Sequence, residues 1–240
     1  ESGKLLMIGF VRRFGNDCHI LKDYIENDYF GDIYYAKAVY LRRNGSPGGW
    51  FGDKSRSAGG PLIDLGVHVI DLTRYLMGNP KPISVYGATF NKLANRPNTH
   101  KAKGAYASIS KSDKDIFDVE DLATAMIRYD NGAVVSVEAS FSLNIKKDVG
   151  SIELCGTKAG AKVDPEIEIF SDINKYMTNI SFATPTALDF SGLFEREISH
   201  FVDCIVNDTN CISPAEDGIA IMKILDAIYE SAETGHEVIL

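Results

Sequence analysis

LATAMIRYDNGAVVSVEASFSL, residues 122–143, decides the class of fold. Leu122 to Tyr129 and Ala133 to Leu143 are strand-length runs in which apolar and polar residues alternate, the period of a half-buried strand. Between them Asn131-Gly132 supplies the two residues that a tight hairpin turn demands. Working outward, residues 33–43, 83–91, 151–155, 166–170 and 176–182 also read as strands, with residues 156–160 (GTKAG) as a turn. Only a few segments have helical spacing. Residues 16–27 carry Ile20, Leu21, Tyr24 and Ile25 on one face; residues 193–206 and 214–233 follow the strands. Ser213, Pro214 and Glu216 suggest an N-cap, a first helical proline and a capping box for the last helix. The middle of the chain is therefore expected to be an antiparallel sheet, within one α/β or α+β domain. So few helices leave the other sheet face for a second copy of the chain, so a homo-dimer or homo-tetramer is expected.

The start of the chain does not fit this scheme. Residues 5–11 (LLMIGFV) form a nearly continuous apolar run, the pattern of a strand covered on both faces in a parallel sheet. Residues 1–14 are accordingly read as the remnant of a last central strand and a linker, and residues 15–240 as one domain. A net charge of −8 excludes an electrostatic grip on nucleic acid or on an anionic membrane, both of which require a basic face. No apolar run reaches the roughly 20 residues of a membrane span. Cys18, Cys155, Cys204 and Cys211 lack CxxC spacing and are read as reduced, hence a cytoplasmic location. Residues 94–114 are polar and read as a long loop.

The chemistry lies in residues 59–78, GGPLIDLGVHVIDLTRYLMG. Pro61 starts a helix and Gly78 ends it. Leu65, Val69, Leu72 and Leu76 form one apolar stripe, and Leu62, Ile63, Val67, Ile70 and Met77 a second, so most of the circumference seeks burial. Asp64, His68, Asp71 and Tyr75 lie between the stripes in one row. Such a row either lines a cleft or pairs with buried polar groups. Asp64 and His68, four residues apart, are placed to touch, and a carboxylate beside an imidazole raises its pKa and orients it for proton transfer. Two readings compete with this one: a core histidine bonded to backbone, and a metal-dependent hydrolase using Asp64, His68 and Asp71. The second lacks a further His or Cys cluster at ligand spacing, so no metal is expected. Gly66 costs about 1 kcal/mol relative to alanine inside a helix, which is tolerable where a neighbour approaches the backbone closely.

Residues 57–71 (SAGGPLIDLGVHVID), preceded by GFVRRF at 9–14 and by Trp50, resemble the C-terminal part of the Gfo/Idh/MocA oxidoreductases; the likeness continues through residues 118–144 and into the tail. The resemblance implies a two-domain enzyme. A Rossmann domain would hold NAD or NADP, and a C-terminal α+β domain of the dihydrodipicolinate-reductase-like type, a large, mainly antiparallel open sheet with helices packed on one face, would bind a sugar, inositol or related polyol. It further implies His68 as the acid/base and Asp64 as its orienting partner. The family's glycine-rich fingerprint and its Glu-Lys-Pro motif have no counterpart here, so this chain alone is expected to be inactive. Arg12, at the end of the apolar run, becomes a candidate for cofactor binding, and Arg13, Asp71 and Trp50 candidates for substrate binding. His19, His100, His200 and His236 are read as solvated or structural, and a non-catalytic oligomerisation module is the remaining alternative.

Overall fold

The computed structural model describes residues 3–93, 96, 107–112 and 114–240. Most of the expected loop at 94–114 thus lies outside the described residues. After a 3-10 turn, Val11–Phe14, the chain forms α1 (Asn16–Glu26), β1 (Ile33–Leu41), a short α2 (Lys54–Ser57), and α3 (Val67–Leu76), which continues a π-helical turn, Leu62–Gly66. Seven strands follow: β2 (Pro82–Phe90), β3 (Leu122–Tyr129), β4 (Val134–Ser140), β5 (Val149–Gly156), β6 (Ala159–Val163), β7 (Ile167–Ile173) and β8 (Tyr176–Ser181). α4 (Leu193–Val206), α5 (Ala215–Thr234) and the short β9 (Val238–Ile239) complete it.

All nine strands join one open sheet in the order β8-β7-β6-β5-β1-β4-β3-β2-β9. Every neighbouring pair is antiparallel except β1 with β4, which run parallel at the centre. One face is lined by small residues, Ala36, Ala38, Ala123, Ala125 and Ala139, all buried. That lets large side chains from the helices, Leu62, Ile70, Leu76, Ile224 and Ile228, sit close against the strands. The opposite face shows alternate residues. Lys37, paired with Ser136 and Glu153 in register, bonds Glu153 at 2.8 Å, and Met126 and Tyr86 lie exposed beside one another.

Within this chain residues 5–10 join no sheet: Met7 makes a single bridge to Pro214, Ile8 N–H bonds Ser213 O at 2.9 Å, Leu6 is 63% exposed, and Val11 opens the 3-10 turn. Two expectations need correction. Ser213 does not cap α5; its hydroxyl donates to Ile8 O at 2.7 Å, and Pro214 takes the cap position without a side-chain bond. The turn read over 156–160 is shorter, because Ala159 and Gly160 already belong to β6, which pairs on both edges. No helix among the described residues is long and apolar enough to cross a membrane. α4 carries an exposed apolar stripe of Phe194, Ile198, Val202 and Ile205, a turn apart.

Candidate active site

The helix bearing the candidate residues starts where glycine is required. A Cβ on Gly59 would overlap the Tyr229 hydroxyl, and one on Gly60 the Glu120 carbonyl oxygen. In the space left, the Glu120 carboxylate accepts from Gly60 N–H at 2.9 Å and Leu62 N–H at 3.1 Å, and Tyr229 donates to it at 2.9 Å. A buried anion thus satisfies the free N–H groups of the helix start and complements its dipole. Neither Glu120 nor Tyr229 was nominated from the sequence; a buried glutamate has no local signature when its partners lie 58 to 109 residues away.

The first turn is π-helical, with Val67 N–H bonded to Leu62 O, five residues back. Gly66 lies at its end, where an added Cβ would meet Leu62 Cδ1 at 3.0 Å and Ala139 Cβ at 3.4 Å. The close approach expected at Gly66 is therefore that of β4. The widened turn also separates Asp64 from His68. Their side chains form neither a hydrogen bond nor an ion pair, because the i, i+4 geometry of a regular helix does not hold across it. The expected upward pull on the imidazole is absent. Burial holds His68 below its ordinary pKa, and the Arg12 guanidinium lowers it further. Asp64 is held above the usual carboxylate range by burial, opposed by Arg42. Both side chains are half-buried. Two charge pairs thus flank the start of the helix: Arg12 of the 3-10 turn acts on His68, and Arg42, just after β1, acts on Asp64. Arg42 escaped sequence reading because nothing local distinguishes it from Arg43.

The other nominated residues go elsewhere. Arg13 is buried, its guanidinium bonded to Asp71 at 2.5 and 3.1 Å, to Asp217 at 2.7 Å and to Ile212 O at 2.5 Å. Arg74 reaches the second oxygen of Asp217 at 2.8 Å. Burial pushes Asp71 up to about 6 against the pull of Arg13. Arg13 and Asp71 therefore spend their polar atoms on tying α3 to the start of α5, and within this chain they are closed to a substrate. For the same reason Asp71 cannot join Asp64 and His68 around a metal, and those three form no ligand cluster among the described residues. Tyr75 leaves the row too, its ring lying 4.6 Å under the Arg13 guanidinium. Arg12 bonds Asp17 at 2.8 Å, while its buried Nε has no partner. Trp50 is 37% exposed and stacks on Phe51, with ring centroids 4.1 Å apart.

The family model described as "Oxidoreductase family, C-terminal alpha/beta domain" matches residues 22–240. D-glucoside 3-dehydrogenase of Escherichia coli K12 is 35% identical over 99% of this chain and 65% of its own length. A putative UDP-kanosamine synthase oxidoreductase subunit of Amycolatopsis mediterranei is 30% identical over 97% of the chain and 66% of its own length. Among solved structures, levoglucosan dehydrogenase in complex with NADH and L-sorbose superposes with a TM-score of 0.80 at 25% identity, covering 98% of this chain and 65% of that one. The chain thus spans just under two thirds of the length of these relatives.

Proposed function

Because the chain belongs to the oxidoreductase family as its C-terminal α/β domain, we propose that it is the substrate-binding part of an NAD(P)-dependent dehydrogenase. The substrate class is a sugar, inositol or related polyol. Relatives named for a glucoside and for levoglucosan support that class. The observation that carries the reading is His68: half-buried, its pKa lowered by burial and by Arg12, and free of any protein hydrogen bond that would consume its lone pair. A neutral imidazole accepts the proton of a substrate hydroxyl, which oxidation of a carbinol requires. Asp64 orients the substrate from the neighbouring turn, and Arg42 offers donors to sugar oxygens.

A bound nicotinamide would supply the hydride acceptor. The Gly59-Gly60 helix start is filled by the Glu120 carboxylate and so is closed to a pyrophosphate, whereas the unpartnered Nε of Arg12 beside His68 suits a polar atom of the cofactor or substrate. A dinucleotide-binding domain before this one is therefore part of the proposal, with residues 1–14 as its last strand and linker. The exposed Leu5, Leu6 and the apolar stripe of α4 support it, since such patches seek cover. Self-association through the open sheet face is proposed alongside, and light scattering at micromolar concentration tests it. The main experiment extends the chain to include the proposed domain and assays NAD and NADP reduction with glucosides, inositols and anhydrosugars. Reduction dependent on His68 is expected. Failure of every polyol in a folded, cofactor-binding protein overturns the reading.

A further inference from the structure

Three ligand-type side chains left out of the active-site reading converge elsewhere. His200 and Cys204 stand one turn apart on the inner side of α4, and Cys211 arrives from the loop that follows. A ring nitrogen of His200 and the two Sγ atoms all lie within 4.8 Å of one another, the one such cluster of His, Cys, Asp or Glu among the described residues. Nothing in the sequence suggested it, because six residues of helix end and loop separate the two cysteines and only the fold returns the chain to α4.

The Nε2 edge of the imidazole faces Cys204. Ile212 N–H donates to His200 Nε2 at 3.1 Å, and Cys204 Sγ lies 3.3 Å from the same nitrogen. An Nε2 that accepts an N–H carries no proton, so the ring's proton is on Nδ1; an ion bound at Nε2 would take that lone pair in place of Ile212 N–H. Phe14 packs on the ring at 5.5 Å and limits its rotation. We propose that His200, Cys204 and Cys211 bind a zinc-class divalent ion. Zinc bonds of about 2.0–2.1 Å to nitrogen and 2.3 Å to sulfur put the N···S edge of a tetrahedron near 3.5 Å, close to the 3.3 Å seen. A cluster no wider than 4.8 Å closes around the ion with side-chain shifts of about 1 Å. Two thiolates and an imidazole favour zinc over magnesium or calcium, which prefer oxygen. Three protein ligands leave one position, for water from the groove that His200 lines with Phe14, His19, Glu195 and Ser199.

The ion would act as a clip. Cys211 immediately precedes Ile212 and Ser213; Ile212 O accepts from Arg13, and Ser213 holds the backbone of Ile8 on both sides. Binding would fasten α4 to the loop that anchors both the N-terminal segment and the buried Arg13 network. This does not depend on the role given to His68.

The test uses the whole chain, reduced, stripped of metal and kept free of oxygen. Titration with Co²⁺ is expected to give one equivalent bound, with sulfur-to-cobalt charge-transfer absorption that Zn²⁺ abolishes. Zinc at about a hundred times its Kd is expected to raise Tm by roughly 5–10 °C. Cys204→Ser, Cys211→Ser and His200→Gln each lose the absorption and the Tm rise, while Cys18→Ser/Cys155→Ser keeps both. Cys204 is buried and its variant can unfold; Cys211 is half-buried, so Cys211→Ser, checked by circular dichroism, decides alone. Absence of charge-transfer absorption in the reduced protein, or its survival in Cys211→Ser, overturns the proposal. So does a Cys204–Cys211 disulfide that, once reduced, takes up no metal.

Discussion

The two halves of one helix treat their charged residues in opposite ways. In the second half of α3, Asp71 and Arg74 are buried and their charges are matched by Arg13 and Asp217. In the π turn and the first α turn, Asp64 and His68 are half-buried, lack any hydrogen bond to each other, and have pKa values moved by burial away from their charged forms. A polar group whose bonding capacity is filled by protein holds the fold together. One that is desolvated but unfilled is available to a ligand, and keeping it so costs stability that the rest of the helix must offset.

The sharpest way to break this contrast is His68→Ala in the protein carrying its proposed dinucleotide domain. Turnover is expected to fall roughly 10²- to 10⁴-fold, the usual worth of a positioned acid/base, with the melting temperature close to that of the unaltered protein. Steady-state kinetics and a thermal melt read the two together; near-normal turnover removes His68 from the chemistry. In the other half, Arg13→Met is expected to cost about 3–5 kcal/mol in a denaturant titration, because Asp71 and one oxygen of Asp217 lose their partner in a buried site. Arg13→Met combined with Asp71→Leu should recover part of that loss, which a purely steric effect would not.

Glu120→Gln is predicted to be milder, about 1–2 kcal/mol, since an amide keeps an acceptor for one N–H but loses the charge at the helix start. If the π turn positions Asp64 and His68, this variant also loses turnover beyond what its melt accounts for. The smallest effect is on pH dependence. His68 has a folded pKa below its ordinary 6.5, so the unfolded chain binds its proton more readily. Stability from keeping it neutral is present above about pH 6.5 and is lost as pH falls below that value. His68→Gln should flatten that slope in urea titrations between neutral pH and mildly acidic pH, and an unchanged slope would mean that another group produces it.

Much of the fold was legible because its signals are local. α4 was expected at 193–206 and is found there, since its apolar spacing runs unbroken from Leu193 to Val206. The hairpin at Asn131-Gly132 holds, with Gly132 at φ 86° as its turn requires. β6 was missed because AGAKV has no branched or aromatic alternation; it is a strand because β5 and β7 offer it hydrogen bonds on both edges. Of the site, Asp64 and His68 were picked out by being polar on an apolar helix. Their lack of mutual contact was hidden, because a π turn carries no sequence mark of its own.

By itself the sequence determined where most helices lie, where the Asn131-Gly132 hairpin turns, and which helix carries titratable groups amid apolar ones. These follow from propensity and periodicity within a dozen residues. Tertiary structure alone decided which of those groups are filled. Asp71 finds Arg13 across 58 positions, Glu120 finds Leu62 across the same distance, and Cys211 returns to His200 and Cys204 only because the loop after α4 folds back. Whether a polar side chain is structural or chemical depends on what meets it, and what meets it comes from elsewhere in the chain.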